Sequence, residues 1–295
     1  MAHITVLESE SVTALALNEN SVVVDCTLGS GGHARAILRM LGPNGVYIGF
    51  DVDKTAIEAQ ASLETEFEAT VVLIHSNFAD IQEQLQSRNL KPTAILADLG
   101  WRSEQFEEGN KGFSFNYDEP LLMTFGEPEQ YPYTALDIVN DWEVQSITDI
   151  LEGYGEERSA FRIANAIVAA REEGPIKTSG QLAEIVSAAV PAFRLRSRTH
   201  PATKTFQALR ITVNDELGVL RTLLKDCFEL LEPEGRLAVI SFHSLEDRIV
   251  KRFTKDKARD QLATLVNKRP IIASDEELEV NPRSRSAKLR ILEKN

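Results

Sequence analysis

A chain of 295 residues, 43% hydrophobic and 26% charged, has the makeup of a globular protein that can fill one large domain or one domain carrying an insertion. No apolar run approaches the length of a bilayer span, and the opening MAHITVLESE is acidic where a signal peptide is basic and then apolar, so a cytoplasmic protein without a membrane partner is expected. The net charge of −13 is uneven: residues 1–150 carry 7 Lys+Arg against 24 Asp+Glu, and residues 151–295 carry 25 against 21, which leaves room for local basic patches to hold a polyanion.

Ser21–Cys26 is β-branched and apolar and predicts a first strand, followed by a glycine-rich turn and a helix over His33–Leu41 that stops at Gly42-Pro43. Gly45–Phe50 predicts a second strand, Lys54–Phe67 a second helix, Thr70–His75 a third strand, Ile81–Gln86 a third helix and Thr93–Ala97 a fourth strand. Buried runs separated by helices predict an α/β fold, a parallel sheet wound with helices on both faces. From about Ser103 to His200 the spacing is helical, over Leu136–Glu152, Arg158–Glu173 and Ser179–Val190. The strand signal returns at Arg236–Phe242 after a helix over Asp215–Leu231, and Ser286–Leu292 predicts a last strand. The simplest organisation is a discontinuous domain of residues 1–104 and 207–295 with an inserted helical domain, residues 105–206, to recognise substrate. Cys26 and Cys227, both in apolar runs, read as buried thiols, and no ligand cluster points to a metal.

Open α/β sheets bind ligands beyond the carboxyl ends of their strands. There the first strand is followed by Asp25-Cys26-Thr27-Leu28-Gly29-Ser30-Gly31-Gly32-His33, a turn in which glycine allows close backbone approach. The second strand runs into Asp51, a carboxylate suited to a ribose diol; the third is followed by Phe78, which can pack on an adenine; the fourth runs into Asp98. These features fit a ligand with a ribose and an adenine, and leave S-adenosylmethionine (SAM) and a dinucleotide both open. His243 stands where a strand meets a helix, with two readings: a proton acceptor at the site, or a bystander to a helix capped by Ser244. The basic segments Arg194 to Arg210, Arg248 to Arg259 and Arg283 to Arg290 are candidate phosphate contacts, and Trp101 or Phe206 could stack on an unpaired base unless they belong to the core.

Several of these segments resemble the bacterial ribosomal RNA small subunit methyltransferase H family, the MraW type. They include GSGGHARAIL (Gly29–Leu38), KGFSF (Lys111–Phe115) and GYGEER (Gly153–Arg158). Longer ones are HPATKTFQALRI (His200–Ile211), RLAVISFHSLEDRIVKRF (Arg236–Phe253) and NPRSRSAKLR (Asn281–Arg290). The resemblance implies a Rossmann-like SAM-dependent methyltransferase domain interrupted by a helical domain. It further implies methylation of the exocyclic N4 of one cytidine in the decoding region of 16S rRNA, on the small ribosomal subunit. It places SAM contacts on Gly31, Gly32, His33, Asp51, Phe78, Asp98 and Gln105, and allows a homodimer. By analogy with other amino-methyltransferases Asp98 is the candidate catalytic group, joined by His243. Arg194, Arg196, Arg198, Lys204, Arg283 and Arg285 are the candidate RNA contacts. Two stretches depart from the family pattern: Trp101-Arg102-Ser103 stands for Val-Ser-Ser, and Leu121-Leu122-Met123-Thr124-Phe125 for Leu-Asp-Met-Arg-Met. The rival readings are a SAM-binding paralogue with another substrate or reduced activity, and an NAD-dependent oxidoreductase.

Overall fold

The apolar runs of the first hundred residues become four parallel strands in the computed structural model, which describes residues 4–76, 80–99, 110–195 and 199–295. They are β1 (Val22–Asp25), β2 (Val46–Asp51), β3 (Thr70–His75) and β4 (Ala94–Asp98), followed much later by β5 (Arg236–Ser241), β6 (Ala263–Leu265) and β7 (Lys288–Lys294). The helices before β5 are α1 (Glu8–Ala14), α2 (Gly32–Leu38), α3 (Lys54–Ala59), α4 (Leu63–Glu66), α5 (Ile81–Ser87), α6 (Ala135–Asp141), α7 (Val144–Gly153), α8 (Ala160–Glu173), α9 (Ser179–Ala189), α10 (Ala192–Leu195), α11 (Thr203–Asn214) and α12 (Glu216–Leu230). After it come α13 (Ser244–Arg259) and α14 (Asp275–Val280). Two units result, residues 1–100 with 217–295 and residues 101–216.

In the first unit the strands lie in the order β3-β2-β1-β4-β5-β7-β6. Pairing is parallel from β3 to β5, and β7 runs antiparallel to both β5 and β6. A parallel sheet must be covered on both faces, and alternate residues do this. Val23, Leu96, Ala238, Ile240 and Ile291 pack with α1 and α2 on one face. Val24, Ile95, Leu237, Val239 and Leu292 pack with α5, α12 and α13 on the other. The order reverses between β1 and β4, which opens a crevice at their carboxyl ends. A dinucleotide fold needs a second parallel half beyond β4 and β5. Here antiparallel β7 takes the place beside β5, so the NAD-dependent oxidoreductase alternative has no second nucleotide half to stand on.

The second unit is helical, and its core gathers Ile138, Ile147, Ile163, Ile167, Leu182, Val186 and Leu209. The GYGEER loop is locked onto α11: the Gln207 side chain donates to the Tyr154 carbonyl (3.0 Å), and Lys204 Nζ to the Glu156 carbonyl (2.6 Å). A Cβ on Gly155 would lie 2.8 Å from the Lys204 carbonyl oxygen, which explains the glycine. His200 stacks on Phe115 with ring centroids 4.3 Å apart.

Three expectations are corrected. The helix expected over 54–67 is two, because Gln60 turns inward and accepts from Arg35 Nη1 (2.7 Å). The helix expected over 136–152 breaks at Trp142, whose carbonyl accepts from Arg171 Nη1 (2.8 Å), as does that of Val139 (3.2 Å); the arginine thereby caps the end of α6. The expected return to the first domain at residue 207 falls inside α11, and the contacts place it after Glu216.

Candidate active site

The turn after β1 is built by backbone geometry that side chains would obstruct. Gly29 and Gly31 hold φ of 54° and 77°, where glycine is at ease. Gly32 faces Thr5 so closely that any Cβ would overlap its hydroxyl. The turn is tied to its neighbours at three points. Leu28 N–H donates to the Phe50 carbonyl (2.8 Å), Gly29 N–H to Asp51 Oδ2 (2.9 Å), and Asp98 N–H to the Thr27 hydroxyl (2.8 Å). Asp51 Oδ1 also accepts from Asp53 N–H (2.9 Å), so the carboxylate ties the glycine turn to the start of the next helix.

Four ionisable groups meet here. Asp25, fully buried, accepts from Thr27 N–H (2.9 Å) and the Tyr47 hydroxyl (2.8 Å). Burial pushes its carboxyl up, against the pull of His33, and burial likewise drives the Tyr47 hydroxyl well up beside Asp25. His33 Nε2 lies 3.6 Å from Asp98 Oδ2, an ion-pair distance beyond a direct hydrogen bond, and neither imidazole nitrogen has a hydrogen-bond partner among the described residues. Burial opposes the charge on His33, but Asp98, Asp25 and Glu8 outweigh it and hold the imidazole above its ordinary value. Buried polar atoms left in this way mark a place prepared for a polar ligand. The structure therefore brings together Gly31, Gly32, His33, Asp51 and Asp98. Phe78 and Gln105 lie outside the described residues, as do Trp101, Arg102, Arg196 and Arg198. Asp25 and Tyr47 were not singled out in the sequence, although an aspartate closing a Val-Val-Val strand ahead of the glycines is a legible signal.

Beside Asp98 in the sheet, β5 leads into a different turn. His243, not Ser244, is the N-cap of α13. Its Nδ1 accepts from Glu246 N–H (3.4 Å), while Glu246 Oε2 accepts from Phe242 N–H (2.8 Å) and His243 N–H (3.2 Å), a reciprocal capping box. Asp247 then holds Arg290 Nε (2.7 Å) and Lys288 Nζ (3.3 Å). Burial works against its charge, but these two cations hold its carboxyl below the usual range.

The candidate RNA contacts divide. Arg283 and Arg285 are exposed on the 3-10 turn Pro282–Ser286. Arg194 Nη2 lies 3.1 Å from Glu157, a buried carboxylate that needs a counter-charge, so this arginine serves the fold. Lys204 holds the Glu156 carbonyl, and Phe206, buried against Phe115, is core and closed to a base. In the departing segment Leu121, Met123 and Thr124 are fully buried, and Thr124 Oγ1 donates to the Gly126 carbonyl (3.0 Å). An arginine at 124 would have to displace that packing.

The sheet order defines a Rossmann-like α/β domain with its crevice at the carboxyl ends of β1 and β4. The family model of the MraW methylase family matches residues 1–295. Ribosomal RNA small subunit methyltransferase H of Symbiobacterium thermophilum is 44% identical, covering 99% of this chain and 96% of its own. The proteins of the same name from Clostridioides difficile (40%, covering 99% and 98%) and a Paenibacillus species (43%, covering 99% and 99%) are similarly related. The chain belongs to the MraW methylase family. It is a methyltransferase with SAM as its cofactor, and the buried, partnerless imidazole nitrogens of His33 beside the glycine turn suit a polar ligand.

Proposed function

We propose that this protein methylates the exocyclic N4 of a cytidine in the decoding region of 16S rRNA, acting on the small ribosomal subunit in the cytoplasm. The observation that carries this reading is the pair formed by Asp98 and Leu99 at the carboxyl end of β4, beside the crevice, with His33 behind the carboxylate. The names of the relatives support the substrate, since they span 96–99% of their own length against this chain.

The amino nitrogen of cytosine is a poor nucleophile because its lone pair is delocalised into the ring. The Asp98 carboxylate and the Leu99 carbonyl can each accept a hydrogen bond from that amine, which localises the lone pair on nitrogen. SAM supplies an electrophilic methyl on a sulfonium. His33 orients Asp98, and the Gly29–Gly32 turn fixes the approach, so the gain comes from positioning and preorganised charge. Asp51 would hold the ribose; the family resemblance adds Phe78 and Gln105, which lie outside the described residues.

The test is incubation with tritiated SAM and small subunits lacking the modification, followed by mapping of the label. N4-methylcytidine at one decoding-region position is the expected product. Label at another base, or none under conditions where a relative works, overturns the assignment and favours a paralogue with a different substrate.

A further inference from the structure

We infer that the exposed face of α13 is a phosphate track that grips the RNA strand leading away from the target base; this rests on the proposed rRNA substrate. Over the 16 residues of α13, Arg248, Lys251, Arg252, Lys255 and Arg259 are all exposed. At 3.6 residues per turn these five fall within an arc of about 100°. No acidic side chain falls within that arc: Glu246 is buried in the capping box, Asp247 is held by Arg290, and Asp256, about 40° beyond the arc, and Asp260 both pair with Arg259 at its far end. Lys251, Arg252 and Lys255 have no carboxylate partner among the described residues.

Surface lysines and arginines commonly stand alone, but here charge and position agree. From Arg248 to Arg259 the helix rises about 16 Å, at 1.5 Å per residue, so the cations are spread along a line rather than gathered at a point. The line begins within two turns of the His243 cap, at the same sheet edge as Asp98, and runs away from it. A strand whose target base enters the crevice has its neighbouring phosphates in reach of such a line. An anionic membrane would need the apolar side of the helix. That side is committed: Leu245 and Val250 are buried, Ile249 and Phe253 pack on the core, and Phe253 meets Phe228 edge-on at 6.0 Å. The track is thus anchored rigidly to the sheet, with Lys257 Nζ seated 4.3 Å from the Phe228 ring centroid.

The experiment compares two triple variants of the full-length protein with equal charge change. One is Lys251→Gln, Arg252→Gln, Lys255→Gln; the control is Lys54→Gln, Lys91→Gln, Lys225→Gln, exposed lysines elsewhere on the same unit. Binding to small subunits lacking the modification is measured across salt concentrations, with SAM affinity and thermal midpoint alongside. The track variant is expected to bind at least about tenfold more weakly at low salt and to lose roughly 0.7 from the salt slope per phosphate contact removed, about 2 in all. Its KM for subunits rises while its single-turnover rate at saturation and its SAM affinity hold, and the control matches the parent. An unchanged slope and KM in a folded track variant overturn the inference, as does an equal loss in the control. If the parent chain itself neither binds nor methylates the subunits, the substrate assignment fails instead. Preferential binding of anionic vesicles, abolished by the track variant, would also overturn it.

Discussion

Two strand-to-helix turns, after β1 and after β5, flank the carboxyl end of β4 and solve the same problem in opposite ways. After β5 most polar groups close on one another: His243 and Glu246 cap α13 reciprocally, Asp247 is matched by Arg290 and Lys288, and only His243 Nε2, 3.2 Å from Glu246 Oε1, is buried there without a hydrogen-bond partner among the described residues. After β1 no side chain caps α2, and Asp98, Asp25 and Glu8 act on the one imidazole of His33, whose nitrogens lack hydrogen-bond partners among the described residues. The closed turn is mechanical and stable in itself. The other accumulates like charge and buried polar atoms, a cost that a ligand offsets. Function resides where the sheet edge is left electrostatically incomplete.

Asp98 is where the two turns should differ most. Replacing it with alanine should lower single-turnover methylation about 100-fold or more, the usual scale for a preorganised polar group, while the thermal midpoint stays close to the parent's. Retained turnover would move the chemistry elsewhere. Asp51→Ala should weaken SAM binding by about 1.5–3 kcal/mol, because a charge-assisted contact is lost and the Gly29 amide is released; calorimetry decides, and unchanged affinity would show that Asp51 serves only the turn.

His33 sharpens the contrast through pH. Its imidazole is held above the ordinary value of 6.5, so its pairing with Asp98, Asp25 and Glu8 adds stability in full below that value and loses it as pH rises through the folded value. Denaturation midpoints of the parent should therefore carry a downward component across that window, absent from His33→Gln. Identical slopes in the two proteins would mean that the pair is electrostatically silent. The smallest effect belongs to the closed turn. His243→Asn keeps an N-cap acceptor and should change stability by no more than about 0.5 kcal/mol, with turnover within a few-fold. A large fall in turnover with normal stability would make His243 a participant in the reaction and the two turns alike in function.

What the sequence discloses follows from how local each cause is. The strands of the parallel sheet read clearly because burial on both faces demands unbroken runs such as Ala-Ile-Leu-Ala over 94–97. Asp51 and Asp98 read clearly because each closes such a run. The breaks at Gln60 and Trp142 do not, since they are made by Arg35 and Arg171 arriving from other helices. For the same reason Arg194 looked like a phosphate ligand: nothing local shows that its partner is Glu157, 37 residues earlier. The Asp25–Tyr47 contact is equally hidden, because strand pairing alone brings the two together. In the other direction, the basic run from Arg248 to Arg259 showed its charge at once but not its single exposed face, which appears only when α13 lies against the sheet.

The close contact of Thr5 with Gly32 has a consequence for how the molecule is made. The stretch carrying Thr5 is held by residues far along the chain: Leu7 N–H donates to Glu277 (2.9 Å), and the Asn281 side chain donates to the Ile4 carbonyl (3.0 Å), across separations of 270 and 277 positions. The first βα units can pair as they emerge during synthesis, but the flank of the glycine turn stays unsupported until α14 has been translated and has folded back. The cofactor cradle is thus among the last parts of this unit to mature, and a nascent chain stalled before residue 277 would hold most of its parallel sheet without a finished place for SAM.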